Sequence, residues 1–520
     1  MNTIKNYYKI NKTQIIFCLL SAIVFSLIAH AYGFLNNIFS HDSLNALYAD
    51  PTENQWKIAL GRFLVPFIRS VTRGSLAIPW LIGILATVYL FVASYLILRI
   101  FETKSKLFAI IVPAIMVTNV SVIASVATYI YEFDIDMLAL LFSILSVYVW
   151  KSKNCIKNYL CSVLLIILSA GIYQSFICVA AVLMVFILIL NLLEGKDFKN
   201  VFTKGVLGVS EIAIGSIIYY ILQKLIIKLS HTDIALRTDA LNLSKSFTEN
   251  VTYLNGINAT VFYEIQRIIN PASILPSHFI GALNIILILS SLAITIFVIH
   301  KLGKKHIKEK LLALLLLAMI PVASGFIGII TKGEIHDLMV FAFWLVYIFI
   351  LIVNIKYSKS FKEKYRRIIK IVSIVCISII VWNNILVANT AYLKKDLEHD
   401  ATLSVMTRVA DDLNKREDYI PSETKVYFIG SDFLQGHSDE FNEVEKIVGL
   451  DYDTSIGMSG KEWYFCSYEK YFINYLGQPL IHADKSFITD EMHNSILEMP
   501  SFPHEGYMEK FGDVLVIRMN

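Results

Sequence analysis

Residues Asn158–Leu193 read NYLCSVLLIILSAGIYQSFICVAAVLMVFILILNLL, and the number of membrane crossings in this stretch decides the fold. About 20 apolar residues are needed to cross a bilayer core, so the stretch is one very long helix or two short ones meeting near Gly171-Ile-Tyr-Gln174. The flanking loops arbitrate. Lys151, Lys153 and Lys157 precede it, and Lys196, Lys199 and Lys204 follow it. Lysine and arginine collect in cytoplasmic loops. One helix would put these two clusters on opposite sides, whereas two helices put both inside.

Outward from there, the same pattern repeats. The chain has 520 residues, is 56% hydrophobic and carries only 17% charged residues, with a mean hydropathy of +0.60. A soluble domain carries more charge and shorter apolar runs. Apolar runs fall at 14–34, 77–100, 107–129, 135–150, 158–170, 173–193, 205–228, 279–300, 311–330, 338–355 and 371–390. Further basic clusters stand at Lys5/Lys9/Lys12, Lys104/Lys106, Lys301–Lys310 and Lys362–Lys370. Counting two helices in 158–193, every cluster faces the cytoplasm. The predicted fold is therefore a polytopic α-helical membrane protein with about eleven transmembrane helices, N-terminus inside and C-terminus outside. The first run lies behind a basic N-terminus but lacks a convincing small-residue cleavage site, so it reads as a retained signal anchor. The net charge of +4 reports topology; nothing in its distribution points to nucleic acid. The cysteines form no CxxC pair, and neither a disulfide framework nor a cysteine metal site is expected. No Walker loop and no GxGxxG after a strand is present.

Five segments then lie outside: 35–76, 130–134, 229–278, 331–337 and the tail from 391. The polar chemistry is concentrated there. Asn37–Leu44 reads NIFSHDSL and sets His41 beside Asp42 just past the first span. Leu60, Phe63, Leu64, Phe67 and Ile68 recur at helical spacing, which predicts an amphipathic helix on the membrane surface with Arg62, Arg69 and Arg73 on its polar side. A carboxylate beside guanidinium groups suits proton abstraction from a hydroxyl while a phosphate leaves. On residue type alone Asp42 suits a helix cap better, a common role for Asp.

Three acids, Glu132, Asp134 and Asp136, stand at the mouth of the third and fourth spans. Acids at membrane depth are costly and often functional, though Asp134 could simply cap the fourth span. Tyr173 and Gln174 sit between two short helices, where irregular backbone is tolerated only if buried or lining a cavity. They could contact a sugar or phosphate, or form a plain turn. Glu264 and Arg267 are spaced to pair with each other, and Arg267 is alternatively a phosphate ligand. Lys332, Glu334, His336 and Asp337 form a further polar set. His336, His30 and His41 are too scattered to predict a metal site.

The tail predicts a small α/β domain. It shows a helix over Leu393–Lys415 and strand signals at Lys425–Gly430 and Asp513–Arg518. Its aromatics, Trp463, Tyr464, Phe465, Tyr468, Tyr471 and Phe472, are candidates for stacking on sugars or for an ordinary core.

These features together resemble the type II glucosyltransferase-domain family, polytopic enzymes that attach glucosyl groups to bacterial O-antigen and related glycans. The resemblance is carried by Ser40-His-Asp-Ser43, Trp56 with Gly61-Arg62, Tyr129 to Asp136, Ser169-Ala-Gly-Ile-Tyr-Gln-Ser175, and the order of the spans. It covers roughly residues 10–350, and the tail only loosely.

The resemblance implies a GT-C class fold in the bacterial inner membrane. It implies a polyprenyl-phosphate-linked sugar donor, usually glucose, and a lipid-linked or surface glycan as acceptor. Asp42 matches the family's base and Asp134 its second acid. Arg62, Arg267 and Lys332 become the phosphate-binding candidates, and His41, Trp56, Tyr131, Tyr173 and Gln174 the substrate-binding ones. Many relatives present two acids where this chain has His41-Asp42, which favours metal-independent transfer without a cofactor. Membrane lipids surround such an enzyme, and a separately encoded donor synthase and flippase would supply it. The alternatives are a flippase or transporter of lipid-linked glycan, and an O-antigen polymerase. Both fit the span count, but the charges cluster at the outer face and not along mid-membrane helices, which favours an enzyme.

Overall fold

The computed structural model describes residues 2–37, 39–40, 43–44, 46–152, 155–232, 250–301, 306–331, 335–430, 465–483 and 487–519. His41, Asp42, Lys332, Glu334, Trp463 and Tyr464 lie outside the described residues.

The membrane part is built from α1 (Asn2–Leu35), α2 (Pro51–Ala59), α3 (Val65–Thr72), α4 (Pro79–Ile100), α5 (Lys106–Thr118), α6 (Val120–Tyr129), α7 (Phe133–Lys151), α8 (Ile156–Ile172), α9 (Ile177–Leu193) and α10 (Phe198–Leu229). It continues with α11 (Asn250–Ile269), α12 (Ser277–Lys301), the broken set α13 (Ile307–Ala318), α14 (Ile320–Ser324) and α15 (Phe326–Ile330), then α16 (Phe341–Lys356) and α17 (Glu363–Asn414). Among the described residues, eight helical stretches are long and apolar enough to cross a membrane, and α8 is a shorter apolar helix.

Local chemistry sets the helix ends. Ser105 caps α5 by accepting from the Leu107 amide at 3.2 Å. Asn119 ends α5 and caps α6, accepting from Val122 N at 3.1 Å. A short polar side chain in extended backbone satisfies amides that the helix leaves orphaned.

The long stretch Asn158–Leu193 is two helices, α8 and α9, parted by Tyr173 in extended backbone and a single 3₁₀ turn at Gln174–Phe176. Side-chain ties collect the lysine-bearing loops at one end of the bundle. Lys151 Nζ reaches Ile100 O at 2.6 Å, Lys204 Nζ reaches Lys151 O at 3.1 Å, and Lys356 Nζ reaches Glu194 at 2.6 Å. Because 151 and 191–204 share that end, α8 must run away from it and α9 must return. The break at 173–176 is recessed into the bundle, since Ser143, in the middle of α7, donates to Phe176 O at 2.7 Å. The second break, at Met319–Val340, lies against the first: α15 packs on the 174–176 turn, and Phe341 meets Phe176 edge-on at 6.1 Å.

α17 spans 52 residues without a break. The helix expected at Leu393–Lys415 is its distal part. Beyond it, β1 (Lys425–Ile429), β2 (Ile481–His482), β3 (Met508–Phe511) and β4 (Val514–Arg518) form one sheet in the order β2-β1-β4-β3. β1 runs parallel to β2 and β4, and β3–β4 is an antiparallel hairpin. Side chains alternate across a strand. Val426, Phe428, Leu515 and Ile517 join the large core that continues into the membrane helices. Tyr427, Val514 and Val516 face a second, small core with Ile496 and Met499. The tail aromatics belong to the first: Phe428 stacks on Tyr468 at 4.1 Å, and Tyr468, Tyr471 and Phe472 are fully buried. These three are core residues and do not offer a sugar-stacking face.

Candidate active site

The predicted single surface helix is two helices with a turn between. α2 ends at Ala59, α3 begins at Val65, and Gly61 between them sits at φ +79°. That region is readily open only to glycine. A Cβ here would also stand 2.5 Å from the Tyr219 hydroxyl, 2.7 Å from Gln223 Nε2 and 2.9 Å from Gln174 Nε2. The turn is wedged onto the first membrane break. Leu64 N donates to Gly171 O at 3.0 Å, Gln174 Nε2 donates to Leu60 O at 3.0 Å and to Tyr219 Oη at 2.7 Å, and Tyr219 Oη donates to Gly61 O at 3.2 Å. The cap of α2 is Asp50, which accepts from Glu53 N at 2.9 Å.

This turn delivers Arg62 into the bundle. Its Nη1 lies 3.2 Å from Glu132 Oε2, and its guanidinium carbon sits over the Tyr173 ring, 4.3 Å from the centroid. Among the described residues it donates only from Nη1, so Nε and Nη2 remain for an anion. Burial works to lower the Arg62 pKa, but Tyr173, Glu132 and Asp136 around it hold it above its ordinary value. It therefore stays a guanidinium.

Lys57 on α2, more deeply buried than Arg62, binds Glu53 at 3.0 Å and Glu132 at 3.1 Å. It also donates to the Tyr131 hydroxyl at 3.1 Å. Arg69 donates to Asn54 at 2.7 Å. Burial of Arg69 lowers its pKa.

The three acids are distinguished by their partners. Glu132 is held by Lys57 and Arg62 together. Asp134 is gripped by Arg73, whose Nε lies 3.3 and 3.1 Å from its two oxygens. The same guanidinium donates to Leu76 O at 2.7 Å and to Tyr131 O. All three nitrogens of Arg73 are occupied, so it is a strut and not a free phosphate ligand. Asp134 lies inside the first turn of α7, paired and buried, and is not the cap of that helix. Asp136 is also buried; no described cation forms an ion pair with it.

Asp42 and His41 lie outside the described residues, but their neighbours are fixed. Ser40 and Ser43 are fully buried and both donate to Thr128 O, at 2.5 and 3.0 Å. This anchors the segment on the last turn of α6, one turn before Glu132. Trp56 is about half exposed on α2.

The second polar set forms beside α6, against which the Asp337–Met339 turn packs. Arg267 pairs with Asp337 at 2.9 Å, and Tyr263 donates to the same carboxylate at 2.5 Å. Glu264 accepts from Ser324 at 2.5 Å. The predicted i,i+3 partners thus each hold a residue of the second break. Among the described residues no three His, Cys, Asp or Glu side chains converge as metal ligands.

Sequence reasoning missed Lys57, Glu53 and Asn54. A lysine in an outer loop reads as solvated, and the only hint was its i,i+4 spacing to Glu53. It also missed Tyr219 and Gln223, which look like ordinary positions of an apolar helix.

Residues 31–353 match the family described as Glucosyl transferase GtrII. The chain belongs to the GtrII family. The match runs from the last turn of α1 through most of α16, so all the acids and cations of the site lie within the GtrII region. No curated protein and no solved structure matches the chain. GtrII membership makes the chain a glucosyltransferase, and the array around Arg62 is the candidate place for its chemistry.

Proposed function

We propose that the protein is an inverting glucosyltransferase that moves glucose from a polyprenyl-phosphate donor to a lipid-linked or surface glycan at the outer face of the cytoplasmic membrane. The observation that carries this reading is Arg62: mostly shielded yet about one-fifth exposed at its side chain, permanently charged, seated over Tyr173 and, among the described residues, still carrying unused donors beside a recessed break in the bundle. A lipid-phosphate leaving group gains charge as the sugar–oxygen bond breaks. A fixed guanidinium in a low-dielectric site stabilises that charge without reorganising. Lys57 and Arg69 supply further positive field, half-exposed Trp56 and part-exposed Gln174 offer surfaces for the sugar and the lipid, and Tyr131 and Tyr173, expected to contact substrate, are buried and back the cations instead. Arg267, on the outer segment 229–278, and Lys332, on the segment 331–337, are the further phosphate candidates. The lysine loops, all at the opposite end, support an outer location through the positive-inside rule.

Asp42 is proposed as the base that takes the acceptor hydroxyl's proton, its flanks being anchored by Ser40 and Ser43. A one-step displacement of this kind inverts the anomeric centre. A second reading gives the proton to Asp136, because it alone of the three acids at 132–136 has no cation partner among the described residues. Asp134, spent on Arg73, serves better as a positioning residue than as a base.

The test is structural analysis of surface glycan from cells with and without the protein, and with Asp42→Asn or Asp136→Asn. A new glucosyl branch of opposite anomeric form to the donor is expected with the wild type. It should vanish with Asp42→Asn while membrane insertion persists. Normal branching with Asp42→Asn but none with Asp136→Asn would move the base to Asp136. Altered chain length without a branch would indicate a polymerase, and vesicle transport of lipid-linked sugar without a new linkage a flippase.

A further inference from the structure

At the end of the bundle opposite this site, a cavity of about 260 Å³ opens between the ends of α7 and α9 and the start of α10. Three ammonium groups line it, those of Lys151, Lys196 and Lys204, with Asn191 and Asn200 between them and Glu102 as its one acid. The geometry points to a binding site for a phosphate group, and we propose that its occupant is the headgroup of an anionic phospholipid.

Lysine loops at a membrane surface are ordinarily splayed into solvent; here they are built in. Lys151 Nζ is fixed by Ile100 O at 2.6 Å and Glu102 at 2.5 Å. Lys196 Nζ is fixed by Asn191 Oδ1 at 2.6 Å, with Glu194 3.7 Å away. Lys204 Nζ donates to Lys151 O at 3.1 Å and sits 4.9 Å from the centre of the Trp150 ring. Each ammonium carries three donors, so after these bonds every one of the three retains at least one.

The electrostatics are not closed within the pocket. Glu102 is three-quarters exposed and already bound to Lys151, and Glu194 is shared with Lys356 at 2.6 Å. Three cations around one cavity repel one another at short range, and an anion placed among them removes that cost. The volume exceeds that of several waters at about 30 Å³ each, so a phosphate group fits with part of its hydration.

The membrane source is favoured by the walls. Ile187 and Val201 are buried in the lining, while Phe202 and Val206, on the adjoining face of α10, are half exposed. A headgroup seated on the lysines would thus leave its acyl chains on an apolar surface. Basic pockets between membrane helices bind anionic headgroups in this way.

The experiment uses the full chain purified in detergent and native mass spectrometry. Phosphatidylglycerol or phosphatidylcholine is titrated in turn, and inorganic phosphate is a third arm. The variants are Lys196→Gln/Lys204→Gln and, as a control in another basic loop, Lys362→Gln/Lys364→Gln. We expect one copy of phosphatidylglycerol to be retained by the wild type and the control at concentrations where phosphatidylcholine is lost. The Lys196/Lys204 variant should retain it at least tenfold more weakly, and inorganic phosphate should displace it. Equal retention by all three proteins, equal loss in the control variant, or phosphatidylcholine bound as well as phosphatidylglycerol would overturn the site. Binding of inorganic phosphate at these lysines without any lipid would refute the lipid as occupant. None of these outcomes depends on the glucosyl-transfer reading, because none uses transfer as its readout.

Discussion

Replacing Gly61 with alanine isolates the turn that carries Arg62. Two costs can be separated. The backbone at φ +79° costs alanine about 1 kcal/mol relative to glycine. The new Cβ would also meet the Tyr219 hydroxyl at 2.5 Å and two amide nitrogens inside 3.0 Å. Tyr219 must then leave its bonds to Gly61 O and Gln174, which are worth about 1 kcal/mol each.

Together that is about 3 kcal/mol, and each 1.4 kcal/mol is a factor of about ten. The wedged turn should thus be depopulated more than a hundredfold relative to an opened one. Gly74 is the internal control. It too has a positive φ, +75°, but nothing stands within 4 Å of its Cβ position, so Gly74→Ala carries only the backbone cost. The assay is glucosyl transfer in membranes at matched protein levels, with thermal unfolding in detergent alongside. Gly61→Ala should lose more than tenfold more transfer than Gly74→Ala. Equal losses in the two variants would refute the crowding argument, and full activity in Gly61→Ala would remove the turn from the site.

Arg62→Ala should lower transfer by about 10²–10³ through lost charge stabilisation, and Arg62→Lys should not restore it, because a lysine cannot both stack on Tyr173 and pair with Glu132; recovery with lysine would reduce the role to net charge. Arg73→Met should destabilise the fold by about 3–5 kcal/mol by stranding the buried Asp134 carboxylate. The double change Arg73→Met/Asp134→Leu should regain much of that in a melting experiment, and a single variant that melts like wild type would contradict the strut role. Tyr468→Ala should cost about 3–5 kcal/mol as a large-to-small core change, read as a lowered melting midpoint, and a variant with normal melting but impaired acceptor use would return these aromatics to sugar binding.

Much of this was legible before the structure, where a strong physical constraint acted on the sequence. Membrane depth forces helices and leaves lysines at one end, so the halves of Asn158–Leu193 and their meeting point at Gly171–Gln174 follow from charge placement. The two main strands at 425–429 and 514–518 follow from short β-branched and aromatic runs. What resisted reading was pairing across distance. Nothing local distinguishes Arg73, which grips Asp134, from Arg62, which keeps free donors. The periodicity of Leu60 to Ile68 suggested one helix because it ignored what one glycine at a positive φ does to a short run. The tail aromatics were ambiguous because residue type alone does not report burial.

The unbroken α17 bears on how this protein could be taken apart. At about 1.5 Å per residue its 52 residues reach roughly 78 Å, against a hydrocarbon core of about 30 Å. Just past the apolar run at 371–390, Tyr392 bonds His30 at 2.7 Å, Lys395 reaches Ala127 O at 2.5 Å and Asp396 accepts from Tyr32. A cut or graft near residue 391 would sever a rod in mid-turn and unseat these clasps. The tail is thus not an interchangeable module: a chimera that borrows the sheet from a relative should borrow the rod from residue 363 onward, together with the surfaces of α1 and α6 that hold it.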